Sequence, residues 1–171
     1  TAGTGIGDNS SVTVELYTGS SATGTPTTST ASVVAGGWST SVSGLTAGTY
    51  TLRVTQGDAA SNTGNSNAVT FTVDTTAPSV SITDPSTPTN STSASIAFSA
   101  ADSGSGLAAV ECSVDGGTFG TCSSPLALTG LAAGSHTLVV RAADAAGNTA
   151  TDTTTWTIDL TAPTVSMLAP A

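Results

Sequence analysis

At 171 residues, with eleven acidic residues against two arginines and a formal net charge of −9, the chain is a poor partner for nucleic acid or anionic lipid. Both need clustered cations, whereas a surface this acidic attracts divalent cations. No apolar run approaches the ~18 residues of a membrane span. Serine and threonine supply about a third of the residues, lysine is absent, and charged residues are only 8%. Threonine suits a half-buried strand, the Gly, Asn, Asp and Ser clusters suit turns, and no 3.6-residue apolar period is visible. The composition predicts an all-β chain.

After Thr1–Gly7, Val12, Val14 and Leu16 alternate along a strand. Gly36-Gly37-Trp38 leads an expected strand containing Val42. Gly44-Leu45-Thr46-Ala47-Gly48 forms a corner into a strand carrying Tyr50, Leu52 and Val54 on one face. Asp58-Ala59-Ala60-Ser61-Asn62 reads as a turn, and Val69, Phe71 and Val73 alternate along a closing strand. Asp74-Thr75-Thr76-Ala77-Pro78 follows. Pro78 lacks an N–H, fixes φ and pushes Ala77 towards extended geometry, which suits a stiff joint between two modules.

Beyond the joint, seven short strands are expected. They are Ser79–Thr83 (Val80 and Ile82 on one face), Ser93–Ala100 (Ile96 and Phe98 inward), Ala109–Val114, a hairpin return to Cys122, Pro125–Thr129, Ser135–Ala142 and Asp152–Asp159 (Trp156 and Ile158 inward). Asp115-Gly116-Gly117 between two alternating runs is a hairpin signal. With residue 117 at its centre, Cys112 and Cys122 face each other, where a disulfide can form. Zinc is the alternative, but it wants about four N/S ligands, and the chain has two Cys and one His. The disulfide is favoured, and with it an oxidising compartment.

The joint recurs as Ile158-Asp159-Leu160-Thr161-Ala162-Pro163, a period of 85 residues. The expected organisation is therefore a module over 1–77, a complete module over 78–162, and the first strand of a third over 163–171. The second module spends 24 residues, Pro78–Ala101, on a segment with no counterpart in the first beyond Thr1–Gly7. The first module is thus expected to expose a groove lined by Leu52, Val54, Phe71 and Val73. Val165 and Met167 stand where Val80 and Ile82 stand one period earlier. Such a tail could enter the groove of another subunit by strand addition. It is too short to replace two strands, so a slice of a longer polypeptide is the expectation.

Four motifs together carry a family resemblance. They are the Val-Asp-Thr-Thr-Ala-Pro joint, the Gly-Leu-x-x-Gly-x-Tyr/His corner, the Asp-Ala-Ala-Gly-Asn turn and Cys112-Ser-Val-Asp-Gly-Gly-x-Phe-x-x-Cys122. The chain resembles bacterial immunoglobulin-like repeats, the tandem domains of large secreted and surface adhesins. The resemblance implies tandem immunoglobulin-like β-sandwiches joined end to end, a stalk or spacer role, and frequently calcium at the joints. The first module departs from it in lacking cysteines and in carrying Ser61 where glycine is usual.

In that topology the linker shares a pole with the second and sixth loops of the module it precedes. Asp74, Asp102, Asp144 and Asn148 would gather there as an interdomain calcium site, since calcium takes six to eight oxygen ligands in irregular geometry. Asp8, Asp58 and Asn62 would hold the corresponding pole of the first module, and Asp159 would serve a following one. The plainer alternative is that Asp and Asn make turns and caps. His136 aligns with Tyr50 at the corner and, with no second His, reads as structural. Trp156 reads as core; Trp38 reads as core or, less readily, as half of a sugar-stacking platform. Gly5-Ile6-Gly7 lacks the strand-then-helix context of a nucleotide loop. No nucleophile with an identifiable base is present.

The expected function is a non-enzymatic stalk, fibre or spacer segment of an extracellular or cell-surface protein. Its partners would be neighbouring repeats, with neither nucleic acid nor direct membrane insertion involved. The alternative is a carbohydrate-binding accessory to a secreted hydrolase.

Overall fold

The computed structural model describes residues 7–167. It divides into two bodies, Thr1–Thr75 and Thr76–Ala171. Among the described residues there is no helix, and so none long and apolar enough to cross a membrane.

The first body is a single antiparallel sheet of β1 (Ser11–Thr18), β2 (Thr27–Ser32), β3 (Gly48–Gly57), β4 (Thr63–Asn65) and β5 (Val69–Val73). Its order is β2-β1-β3, with β4 and β5 both pairing along the far edge of β3. The alternating pattern sets the register: Val14 lies opposite Val54 and Leu16 opposite Leu52, so apolar side chains share one face. Val12, Val14, Ala31 and Val54 form the core, with Val33, Trp38 and Leu52 packed on it. The opposite face holds a polar cluster. Arg53 donates from Nε to Glu15 Oε2 (2.8 Å) and from Nη2 to the Tyr17 hydroxyl (2.7 Å). The guanidinium also lies 5.5 Å from the Tyr17 ring centroid.

The expected strand through Val42 does not form. Val34 and Gly37 pair with each other, and residues 38–47 carry no ladder. A strand needs a partner for its N–H and C=O groups, and no second sheet is described in this body to supply one.

The second body has two layers. β9 (Leu107–Val114), β10 (Gly120–Thr121), β12 (Gly134–Asp144) and β13 (Thr149–Ile158) form a sheet in the order β10-β9-β12-β13. Facing it are two pairs, β6 (Ser79–Ile82) with β8 (Phe98–Ala101) and β7 (Ala94–Ile96) with β11 (Leu126–Leu128). The expected strand Ser93–Ala100 is therefore two strands. It breaks at Ala97, whose carbonyl accepts from Thr83 N (2.8 Å), and each half serves a different neighbour. Ile96, Cys112, Leu138, Val140, Trp156 and Ile158 fill the space between the layers, giving the sandwich expected of an all-β immunoglobulin-like fold.

The cysteine hairpin turns one residue earlier than its sequence suggests. Asp115 (φ 51°) and Gly116 (φ 73°) both adopt left-handed backbone, and Gly117 N donates to Val114 O (2.9 Å), a two-residue turn that favours glycine. Cys112 consequently lies opposite Gly120, and Thr121 opposite Glu111. Cys122 falls diagonal to Cys112 rather than across from it. The Cα–Cα distance of 5.8 Å still permits the bond, and the two residues form a disulfide.

Pro163–Met167 forms no strand, and Val165 and Met167 are 90% and 94% exposed. The rest of the tail, 168–171, lies outside the described residues, as do Gly5 and Ile6 of the Gly-x-Gly.

Candidate functional site

The second body gathers polar groups at one pole. Asp102 follows β8, Asp144 ends β12, and Asn148 stands just before β13. Asp144 Oδ1 accepts from Asn148 N and its Oδ2 accepts from Asn148 Nδ2, both at 2.8 Å. Asp102 Oδ2 accepts from Gly104 N (3.0 Å) and Gly106 N (2.7 Å). The two loops are stitched together by Ala145 N donating to Gly106 O (2.9 Å) and Ala146 N to Ser105 Oγ (3.1 Å).

The first body repeats the Asp–Asn turn. Asp58 Oδ1 accepts from Asn62 N and Oδ2 from Asn62 Nδ2, again at 2.8 Å. These bonds hold the Asp58 carboxyl below its ordinary range, Asn62 contributing most. The turn-forming role of Asp and Asn is thus realised in both bodies. Asp8 bridges to Asp58 through the backbone, and Asp159 Oδ1 accepts from Thr161 N (2.8 Å).

Turn formation leaves one oxygen of the second pole unexplained. Asp102 Oδ1 is buried and makes no hydrogen bond. Carboxylate oxygens of Asp102 and Asp144 lie within 4.8 Å of one another, and Asp144 is 3% exposed. Arg141, the arginine of this body, is engaged on the sheet surface with Glu111 (2.7 Å) and lies 4.1 Å from the Phe119 ring centroid. A buried acceptor without a donor costs roughly 1–3 kcal/mol, more when charged. Two close carboxylates, one of them with an oxygen that makes no hydrogen bond, suit a hard cation of the calcium type. The residues present fit such an ion. Asp74 sits in the joining segment at the end of the first body, four residues before Pro78.

His136 lies at the far end of β12 from Asp144. Its Nε2 is 2.9 Å from Ala132 O and its Nδ1 is 2.8 Å from Asp115 Oδ2. Its ring centroid lies 5.5 Å from that of Trp156. Tyr50 makes the same corner in the first body, donating to Thr46 O (3.0 Å) and lying 5.8 Å from the Phe71 ring. Each ring therefore reaches a carbonyl four residues upstream. Matching the two repeats places His136 in this role, whereas its bond to Asp115 is not legible in the sequence, because the turn and the corner meet only across strands.

An open groove of about 590 Å³ runs along the apolar face of the first body, lined by Val12, Trp38, Leu52, Val54 and Val69 and reaching Asp58 and Asn62. Leu52 and Val54 are where the sequence puts them. Phe71 and Val73 are not among its walls, because Phe71 turns onto Tyr50. Trp156 is buried in the second core. The two tryptophans thus serve separate cores rather than a shared platform.

Two family models match the chain: one described as "Bacterial Ig-like domain" over residues 3–75 and one as "Bacterial Ig domain" over residues 78–140. No curated protein matches it. Among solved structures, the fibronectin(III)-like modules of Clostridium thermocellum CbhA share 20% identity, over 85% of this chain and 77% of that one, with a TM-score of 0.43. A tetra-tandem repeat from the extending region of a large adhesion protein shares 22% identity over 90% of this chain and 42% of that one, with a TM-score of 0.41.

Proposed function

The chain belongs to the bacterial immunoglobulin-like repeats, and on that premise we propose that it is a structural, non-enzymatic spacer of a secreted or cell-surface protein. The observation that carries this reading is tandem repetition at 85 residues, with the Asp-x-Thr-Ala-Pro joint recurring at each period. A binding or catalytic domain has no need to repeat its own joint. A spacer does, since each added module adds length. The single His is committed at both ring nitrogens to the corner and the adjacent turn, which supports a structural use. Partners under this reading are neighbouring repeats.

Calcium belongs to the same proposal. Asp102 and Asp144, with Asn148 on the turn and Asp74 from the joining segment, would supply the oxygen ligands. A bound divalent cation would neutralise the clustered carboxylates and cross-link the segments that carry them. The chain's own contribution is preorganisation: Gly104 and Gly106 amides fix the Asp102 carboxylate by one oxygen, and the other makes no hydrogen bond.

Small-angle scattering of the whole chain tests the spacer role. An elongated two-body particle is expected, with little change when glycans are added. A compact particle with the two bodies side by side would argue against a spacer. Saturable glycan binding lost on Trp38→Ala would instead favour the carbohydrate-binding alternative.

A further inference from the structure

The only histidine of the chain sits between two acceptors. Asp115 Oδ2 faces Nδ1 at 2.8 Å and the Ala132 carbonyl faces Nε2 at 2.9 Å. A neutral imidazole carries one N–H, so it satisfies one of these oxygens and turns a lone pair on the other. Only the imidazolium donates to both. The ring itself is buried against Trp156, while the Asp115 side chain facing it is 44% exposed.

We propose that His136 is a proton-operated clamp: doubly protonated, it ties the Asp115 turn between β9 and β10 to the corner before β12, and loss of one proton releases one of the two ties. Asp115 is the charged group facing the ring from the hairpin. From β13 the neighbour is Trp156, and the next carboxylate along, Asp159, is occupied by Thr161 N. The corner supplies only the carbonyl. Release loosens the hairpin without detaching it, because Asp115 Oδ1 still accepts from Thr137 N (2.8 Å) and Asp115 N still donates to Thr137 O (2.9 Å). The first body carries a built-in comparison. Tyr50 makes the same corner bond with a phenol hydroxyl in place of an imidazole nitrogen.

The direction of the effect follows from the surroundings. The Ala132 carbonyl and then the Asp115 carboxylate hold the imidazole above its ordinary value, with burial opposing them. A raised folded value means the contribution is complete below the ordinary imidazole range and disappears as pH rises through the folded one. Asp115 is held below the ordinary carboxylate range by His136 and by Thr137 N. Its contribution is complete above that range and disappears as pH falls through the folded value. The clamp is therefore closed from the acid side of neutrality up to the His136 titration.

The test is a nitrogen-15 titration of the single imidazole in the whole, oxidised chain between about pH 5 and about pH 9. Both nitrogens should be protonated at neutrality, with a midpoint above that of free histidine. Across that midpoint, hydrogen-exchange protection at Gly117 and Thr137, corrected for intrinsic exchange, should fall several-fold. Asp115→Asn should lower the midpoint. His136→Tyr should keep the corner and make protection independent of pH over the same span. A neutral single tautomer at neutrality, or protection that stays flat through the wild-type titration, would overturn the proposal, and neither measurement needs a variant to fold.

Discussion

Val69 on β5 and Thr154 on β13 hold the same place in their sheets, opposite Leu52 and Leu138 respectively, yet Val69 is 61% exposed and Thr154 4%. In the second body β6 packs against β12 and β13, and Thr154 Oγ1 donates to Asp84 just beyond it (2.7 Å). No described strand does this for the first body. A substitution in the closed core of the second body should therefore cost far more than one on the open face of the first. Leu138→Ala should cost about 2–5 kcal/mol by emptying a closed core, whereas Val69→Thr should stay within about 0.5 kcal/mol. Denaturation followed by residue-resolved exchange should also find the first body opening before the second.

Breaking the disulfide should act on one body only. Its ten-residue separation closes a short loop, for which chain entropy gives about 3 kcal/mol. Reduction should lower the denaturation midpoint of the second body and leave the first unmoved. A shift in both would mean that their stabilities are coupled.

Ser61 occupies the place that Gly147 takes in the second body, and both have left-handed backbone, φ 67° and 93°. A side chain there costs roughly 1–2 kcal/mol, offset in part by the entropy that glycine loses on folding. Ser61→Gly should raise the stability of the first body by about 0.5–1 kcal/mol, measurable as a higher melting temperature. Gly147→Ser should lower that of the second.

Acid should reach the first body through two carboxylates. Asp58 is held below its ordinary range by Asn62, and Glu15 by Arg53 with help from Tyr17. Lowered folded values mean that their contributions are complete above the ordinary carboxylate range and are lost as pH falls through the folded ones. The acid limb of the first body's stability curve should flatten in Asp58→Asn and, separately, in Glu15→Gln.

Much of the fold is legible because it depends on neighbours in the sequence. Period-two alternation locates β1, β3, β12 and β13, and the Asp–Asn spacing fixes both turns before their bonds are seen. What is illegible depends on distant partners. Whether Ser93–Ala100 is one strand or two is decided by β6 and β11, which claim different halves of it. Trp38 to Val42 has strand composition but no ladder to join. The cysteine pair is readable as a disulfide, whereas its diagonal register depends on which two residues of Asp-Gly-Gly take the left-handed backbone. At the candidate site, Asp102, Asp144 and Asn148 can be named from turn chemistry. That one Asp102 oxygen is left without a donor is a property of packed loops.

The central claim, a spacer whose joint is stiffened by a divalent cation, is tested most directly by nitrogen-15 relaxation of the whole chain with calcium and with chelator. With calcium, both bodies should report one anisotropic tumbling tensor. Chelator, or Asp102→Asn in the presence of calcium, should let them tumble separately while each keeps its own fold. Tumbling that is indifferent to calcium, chelator and the Asp102 substitution would contradict the claim.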